Sequence, residues 1–349
     1  MPGTHIRFAL CLMLICWTAV IPASAQHFRQ IPGTVDYVFA GRAEVWGVQC
    51  TEAFCITSKV YRFNSSTKKF AEIPGAPNIQ NIAVGGGTVL QPDEVWGLDN
   101  DTNDVYRFNF SKNAFVKVPG ISLFQITVGE GYEDKCHPYE VWGNWGPNVA
   151  VPAVYRYNYC TSKFDAIPLP APSGTPLPLT QIAVGGEGNV WGVVVDSQLG
   201  TFGTGLFIYA GGWGGPVGLD ANSGWMPSFQ PIAVTTMNVY GFEDGLSVLN
   251  LAISDACSCY WGSSPSGTAS LTQIASGWEG VWLIYNTSSA NGLIARSQGF
   301  SISGYGGDFA TGFSNVPGLA SPALSIAVGS GAGVWATDSS HHVYVFVRP

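Results

Sequence analysis

Aromatic and amide side chains gathered in short polar stretches are the chain's best material for chemistry. "NWGPN" holds Asn144, Trp145 and Asn148, and "LDNDTND" holds Asp99, Asn100, Asp101 and Asn103. A flat indole can lie against the C–H face of a sugar, while amides and carboxylates bond its hydroxyls. "AGGWGGP" offers Trp213 in a similar setting. "DNDTND" also opens like a calcium loop. Counted from Asp99, however, it has Asp104 at position six and Phe110 at position twelve, where an EF-hand needs Gly and Glu.

Bond-breaking chemistry has less to work with. "EDKCH" gathers Glu133, Asp134 and His137 without HExxH spacing, and the adjacent His341 and His342 do not form a metal pair. No GxSxG suggests a nucleophile elbow. A glycosidase could still assemble paired carboxylates from distant segments, but nothing local supports one. The expectation is a binding protein without catalysis, cofactor or metal.

Composition indicates what must hold these residues. Asp, Glu, Lys and Arg make up 11% of the 349 residues, against about 25% in typical soluble proteins. The 44 Gly, 22 Pro and 12 Trp suit short strands, tight turns and aromatic packing. The formal charge of −8, with no basic stripe, speaks against nucleic acid and anionic membranes. Arg7, an apolar run from Phe8 to Ile21 and "ASA" (Ala23–Ala25) read as a signal peptide over 1–25, leaving one soluble domain over 26–349. The expected location is extracellular, or periplasmic in a bacterium. In a eukaryotic host, Asn64, Asn100, Asn109 and Asn286 would head glycosylation sequons.

Six cysteines follow the signal. Proximity favours Cys50 with Cys55, Cys136 with Cys160 and Cys257 with Cys259, the last closing a very small ring. Six cysteines allow 15 connectivities.

The deeper pattern is a repeat. "VYRFN" stands at 60–64 and 105–109, and "VYRYN" at 154–158. Around it runs a unit of "IAVG", "VWG", "VYR" and "F-x-x-IPG". Its second-segment aromatics are Trp46, Trp96, Trp142, Trp191, Tyr240, Trp282 and Trp335, spaced about 48 apart. Four apolar segments per unit, bounded by turn residues, predict four antiparallel strands, hence a blade of a β-propeller. Copy four is expected to end at "GWMPS" (224–228). The last copy stops at "VYVFVRP", and "FRQIPG" (28–33) matches its missing fourth strand. The fold expected is an all-β propeller, seven four-stranded blades, closed by the N-terminal strand. The repeated Tyr is expected to pack between blades. The Arg is expected to lie along a neighbour and hold a carbonyl or carboxylate.

This unit resembles the tectonin repeat of tectonins, tachylectin-like proteins and fish-egg lectins, over nearly the whole mature chain. The resemblance implies a β-propeller, often of six blades in that family, that binds carbohydrates of cell surfaces or bacterial envelopes. A secreted, lectin-like module with glycan or glycoprotein partners is therefore the leading expectation. An extracellular protein-interaction scaffold is the second, favoured by an exposed apolar patch on one face.

Overall fold

The computed structural model describes residues 26–52, 55–145, 153–172, 174–186, 188–195, 204–215, 233–234, 238–243, 247–252, 259–262, 270–277, 280–297, 300–302, 308–310 and 313–348. Among them every regular element is a strand, as a chain without 3.6-residue apolar periodicity should give. The strands form seven four-stranded antiparallel sheets and one two-stranded hairpin. Side chains are described in six of those sheets. The fifth is described by its backbone.

Each sheet follows one plan, with consecutive strands paired from the innermost outward. Sheet 1 comprises Tyr37–Ala40, Val45–Cys50, Ser58–Asn64 and Lys69–Glu72. Sheet 2 comprises Ile79–Gly85, Glu94–Asp99, Asp104–Asn109 and Ala114–Ser122. Sheet 3 comprises Gln125–Asp134, His137–Trp145, Ala153–Asn158 and Lys163–Ile167. Sheet 4 comprises Leu179–Val184, Val190–Val195, Thr204–Tyr209 and Trp213–Gly214. Sheet 5 runs from Ala233–Val234 through Asn238–Glu243 and Ser247–Ala252 to Cys259–Gly262. Sheet 6 has Ser270–Gly277, Gly280–Asn286, Leu293–Ser297 and Phe313–Asn315. The extra hairpin, Phe300–Ile302 with Asp308–Ala310, lies between its last two strands.

The chain's ends meet in sheet 7. Ala323–Gly329, Gly333–Asp338 and His342–Val347 supply three strands, and His27–Thr34 pairs antiparallel with the third, from His27 opposite Val347 to Ile31 opposite Val343. This is the expected closure by the N-terminal strand. Phe28 fixes it by packing edge-on against Trp282 and Phe346 at 5.8 and 5.7 Å.

The repeat's letters now have physical reasons. The second-strand Trp enters the next sheet between its third- and fourth-strand aromatics. Trp46 meets Phe108 and Phe115, Trp96 meets Tyr157 and Phe164, and Trp142 meets Tyr209 and Trp213. Trp335 of sheet 7 meets Phe63 and Phe70 of sheet 1, so the packing order closes on itself. The Gly after the Trp leaves room for the residues at the entry of the sheet's own innermost strand: a Cβ on Gly97 would lie 2.8 Å from Ile79, and one on Gly143 2.4 Å from Leu123. Within "VYRFN", Val60 joins the core facing sheet 2, and Tyr61 and Phe63 pack toward Trp335. Asn64 accepts the N–H groups of Ser66 and Thr67 to set the turn.

The Arg does what the sequence suggested. Arg62 grips both oxygens of Glu44 at 2.7 and 2.6 Å, and Arg107 those of Glu94 at 2.8 and 2.6 Å. Arg156 grips Glu140 in the same two-pronged way. Each guanidinium lies over its own sheet's Trp, and Arg62 and Arg107 also cover Phe110 and Tyr159 of the next sheet. Burial is the largest single influence on Arg107 and pulls its pKa down, but the hydrogen bonds and charge of Glu94, with Tyr159 and Tyr157, together outweigh it, so the net shift is upward.

Cys50–Cys55 and Cys136–Cys160 are disulfide-bonded, with Cα atoms 4.6 and 4.9 Å apart. Cys257 lies outside the described residues, and Cys259 begins the last strand of sheet 5. One strand departs from expectation. Sheet 4 ends with Trp213–Gly214, paired to Tyr209 and Ile208 after a tight turn, and 224–228 lies outside the described residues. A short Gly-rich turn brings Trp213 back onto Tyr209, at 5.3 Å, before the later segment is reached.

Candidate functional site

The innermost strands wall a central channel. A cavity of about 460 Å³ is lined by residues of sheets 1, 2, 3, 6 and 7, including Tyr37, Ile82, Ile126, Gln273 and Leu324. Small and β-branched side chains at alternate positions let the strands crowd this axis.

One end of the channel has an apolar rim. In sheets 2, 4, 6 and 7 the innermost strand carries a one-residue bulge, at Gln80, Thr180, Thr272 and Leu324. A bulge bends the strand and turns its extra side chain out of the ladder. Phe124 holds the matching place in sheet 3, two residues before Ile126. Phe124 is 51% exposed, Leu324 39% and the neighbouring Tyr37 37%. Ile56, 53% exposed, lies in the loop between the second and third strands of sheet 1, at the same end.

Between sheets 2 and 3 this rim meets the loops singled out from sequence. Leu123 N–H donates to the carbonyl of Asn103, and Phe124 N–H to that of Asn144, both at 2.9 Å. The rings of Phe124 and Trp145 pack at 4.9 Å, tilted by 41°. The turn 99–103, the linker 122–124 and Trp145 thus form one continuous surface. Trp145 is half-buried at the end of its strand, paired with Ala153.

The other expected contacts divide by what already occupies them. Asp99 is nearly buried, and its Oδ1 accepts N–H from Asp101 and Thr102 and the Thr102 hydroxyl, each at 3.0 Å. It organises the turn. Asn103 takes the left-handed conformation, φ 57°, that Asn tolerates. Asn144 is 2% exposed and donates to the Leu179 carbonyl at 3.0 Å, tying sheet 3 to sheet 4. Trp213 is a blade-packing aromatic, equivalent to Phe70, Phe115 and Phe164. Asn144, Asp99 and Trp213 are therefore engaged inside the fold. Asn100 and Asp101 stay exposed beside the rim, Asp101 accepting from Asn78 Nδ2 at 3.1 Å. Asn148 lies outside the described residues.

Sequence reasoning missed Phe124, Tyr37 and Leu324. The available signal was a large apolar residue just ahead of the "IAV" core, where the other legible copies carry Gln, Asn or Thr. Among the described residues no group of three His, Cys, Asp or Glu could hold a metal ion. No helix there is long and apolar enough to cross a membrane. Where sheet 7 meets sheet 1, His341 Nδ1 lies 2.7 Å from Asp36, and Asp338 is fully buried. Burial would raise the Asp338 pKa, but the Tyr344 hydroxyl and the His342 and Ser340 N–H groups outweigh it and hold the carboxyl below its ordinary value.

No family model and no curated protein matches the chain. Solved structures do. YCF48 from Cyanidioschyzon merolae aligns over 92% of this chain and 98% of its own, with 11% identity and a TM-score of 0.57. YCF48 bound to D1 peptide aligns over 93% and 97%, with 10% identity and a TM-score of 0.58. PorZ, described as an essential bacterial surface component of the type-IX secretion system of Porphyromonas gingivalis, aligns over 89% of this chain and 46% of its own, with 12% identity and a TM-score of 0.52. At such identities the likeness concerns the β-propeller fold alone.

Proposed function

We propose that the chain is a secreted, non-catalytic propeller of seven blades that binds an extended peptide segment of a protein partner at the channel rim. The observation that carries this reading is the apolar rim of Tyr37, Phe124 and Leu324, with Trp145 packed on Phe124. Exposed apolar side chains around one end of a channel suit apolar peptide side chains better than hydroxyl-rich sugars. A propeller neighbour seen with a bound peptide supports the choice of ligand. The two disulfides suit an extracellular or periplasmic location.

A second reading, glycan binding in the manner of the tectonin repeat, draws on the same Trp145. Asn100 and Asp101 nearby could bond sugar hydroxyls. Panning a phage-displayed peptide library and probing a glycan array with the mature protein separates the two. The first reading expects selected peptides whose binding weakens in Trp145→Ala and Phe124→Ala. Binding only to glycans would replace it with the second.

A further inference from the structure

Two glutamines reveal how the channel wall is finished. Gln125 of sheet 3 donates from Nε2 to the Ile182 carbonyl and accepts Ile182 N–H on Oε1, both at 2.9 Å. Gln273 of sheet 6 makes the same pair of bonds to Ile326 of sheet 7, both at 3.0 Å. A primary carboxamide carries one donor side and one acceptor side, and so completes a strand edge as a peptide group would.

The wall of sheets 2 and 3 lacks this finish. Ile82 and Ile126 hold the ladder positions of Ile182, opposite Gly97 and Gly143 as Ile182 is opposite Gly192. Their N–H and C=O groups therefore point the same way, away from the second strand. Both residues line the channel cavity. The residues standing where a glutamine should be are Tyr37 and Asn81. A phenol cannot offer a paired donor and acceptor, and Asn is one methylene shorter than Gln. No hydrogen bond joins Tyr37 to Ile82 or Asn81 to Ile126, and Asn81 is exposed. Main-chain polar groups that face the channel without a protein partner are open to water or to a ligand.

We propose that the Ile82 and Ile126 edges bind a primary carboxamide, the side chain of a Gln or Asn carried by a partner peptide. The proposal takes the source of the carboxamide from the peptide-binding reading. The edges themselves do not depend on it. The ligand would repeat, from outside, the two bonds that Gln125 and Gln273 make from within, beside the aromatic rim that holds the rest of the peptide.

The test is amide NMR of the mature protein. Without ligand, the Ile82 and Ile126 amides should exchange with solvent about tenfold or more faster than those of Ile182 and Ile326. Ac-Val-Gln-Val-NHMe should shift the Ile82 and Ile126 resonances, and Ac-Val-Glu-Val-NHMe, unable to donate to the carbonyl, should not. Asn81→Gln should supply the missing clamp, abolish the Ile126 shift and spare that of Ile82. Trp145→Ala should leave both shifts in place, which separates this site from rim binding. Equal protection of all four amides, or equal shifts from the Gln and Glu peptides, would overturn the inference. The exchange comparison needs no variant and stands even if Asn81→Gln fails to fold.

Discussion

Sheets 1 to 3 and the later sheets are braced by different means. In the first three, a Glu two residues before the Trp is gripped by the third-strand Arg, and Glu94 and Glu140 also accept their Trp indole N–H. Sheet 4 has Asn189 at that place, and its Trp191 indole nitrogen is buried without a partner among the described residues. Sheets 6 and 7 have Gly280 and Gly333 there. Cohesion moves inward instead: the carboxamide links at the axis lead into sheets 4 and 7. These early repeats are thus clamped at mid-blade, and in sheets 2 and 3 the edges at Ile82 and Ile126 lack a carboxamide partner along the channel, whereas in sheet 1 the Val38 N–H donates to the Ser325 hydroxyl at 3.4 Å. The Ile82 and Ile126 edges sit beside the aromatic rim, where the proposed peptide site lies.

Breaking the clamp should have the largest effect. Glu140→Ala strands Arg156 and the Trp142 indole in a buried setting and should cost about 3–5 kcal/mol, read as a lowered urea midpoint. Phe28→Ala, which loosens the closing strand, should cost about 3 kcal/mol and expose that strand to proteolysis early. Gln125→Ala, which opens an axial link, should cost about 1–2 kcal/mol and should speed exchange of the Ile182 amide.

A smaller effect of pH arises at the buried carboxylate of sheet 7. The Asp338 pKa is lower folded than unfolded, so its contribution is present above about pH 4 and fades as pH falls through the folded value. Asp338→Asn should flatten the acid side of a thermal-stability profile. An unchanged acid limb would remove Asp338 as its source.

Much of this was legible because the repeat wrote it several times. Trp and Gly of "VWG", the paired aromatics and the closing strand each recur in recognisable places. Copy four misled because the fourth-strand aromatic came early, as Trp213 after a Gly turn, while a later Trp mimicked it. The site was only half legible. A Trp in a Gly/Pro/Asn loop marked Trp145. Nothing local distinguished Asn144, which turns inward to the Leu179 carbonyl, from Asn100, which faces solvent. Phe124 and Leu324 drew no reading from the sequence, although a large apolar residue ahead of the "IAV" core marks both; that Leu324 stands at a bulge is a matter of pairing and leaves no mark in composition.

The central claim is that ligand enters at the rim between sheets 2 and 3. It is tested most directly by the affinity of one library-selected peptide for the wild type, for Trp145→Ala and for Val89→Ser/Leu90→Ser, an exposed apolar pair in the sheet 2 loop at the opposite end. The account predicts a loss of about tenfold or more in Trp145→Ala and no change in the double variant. Loss in the double variant with Trp145→Ala unaffected would contradict it.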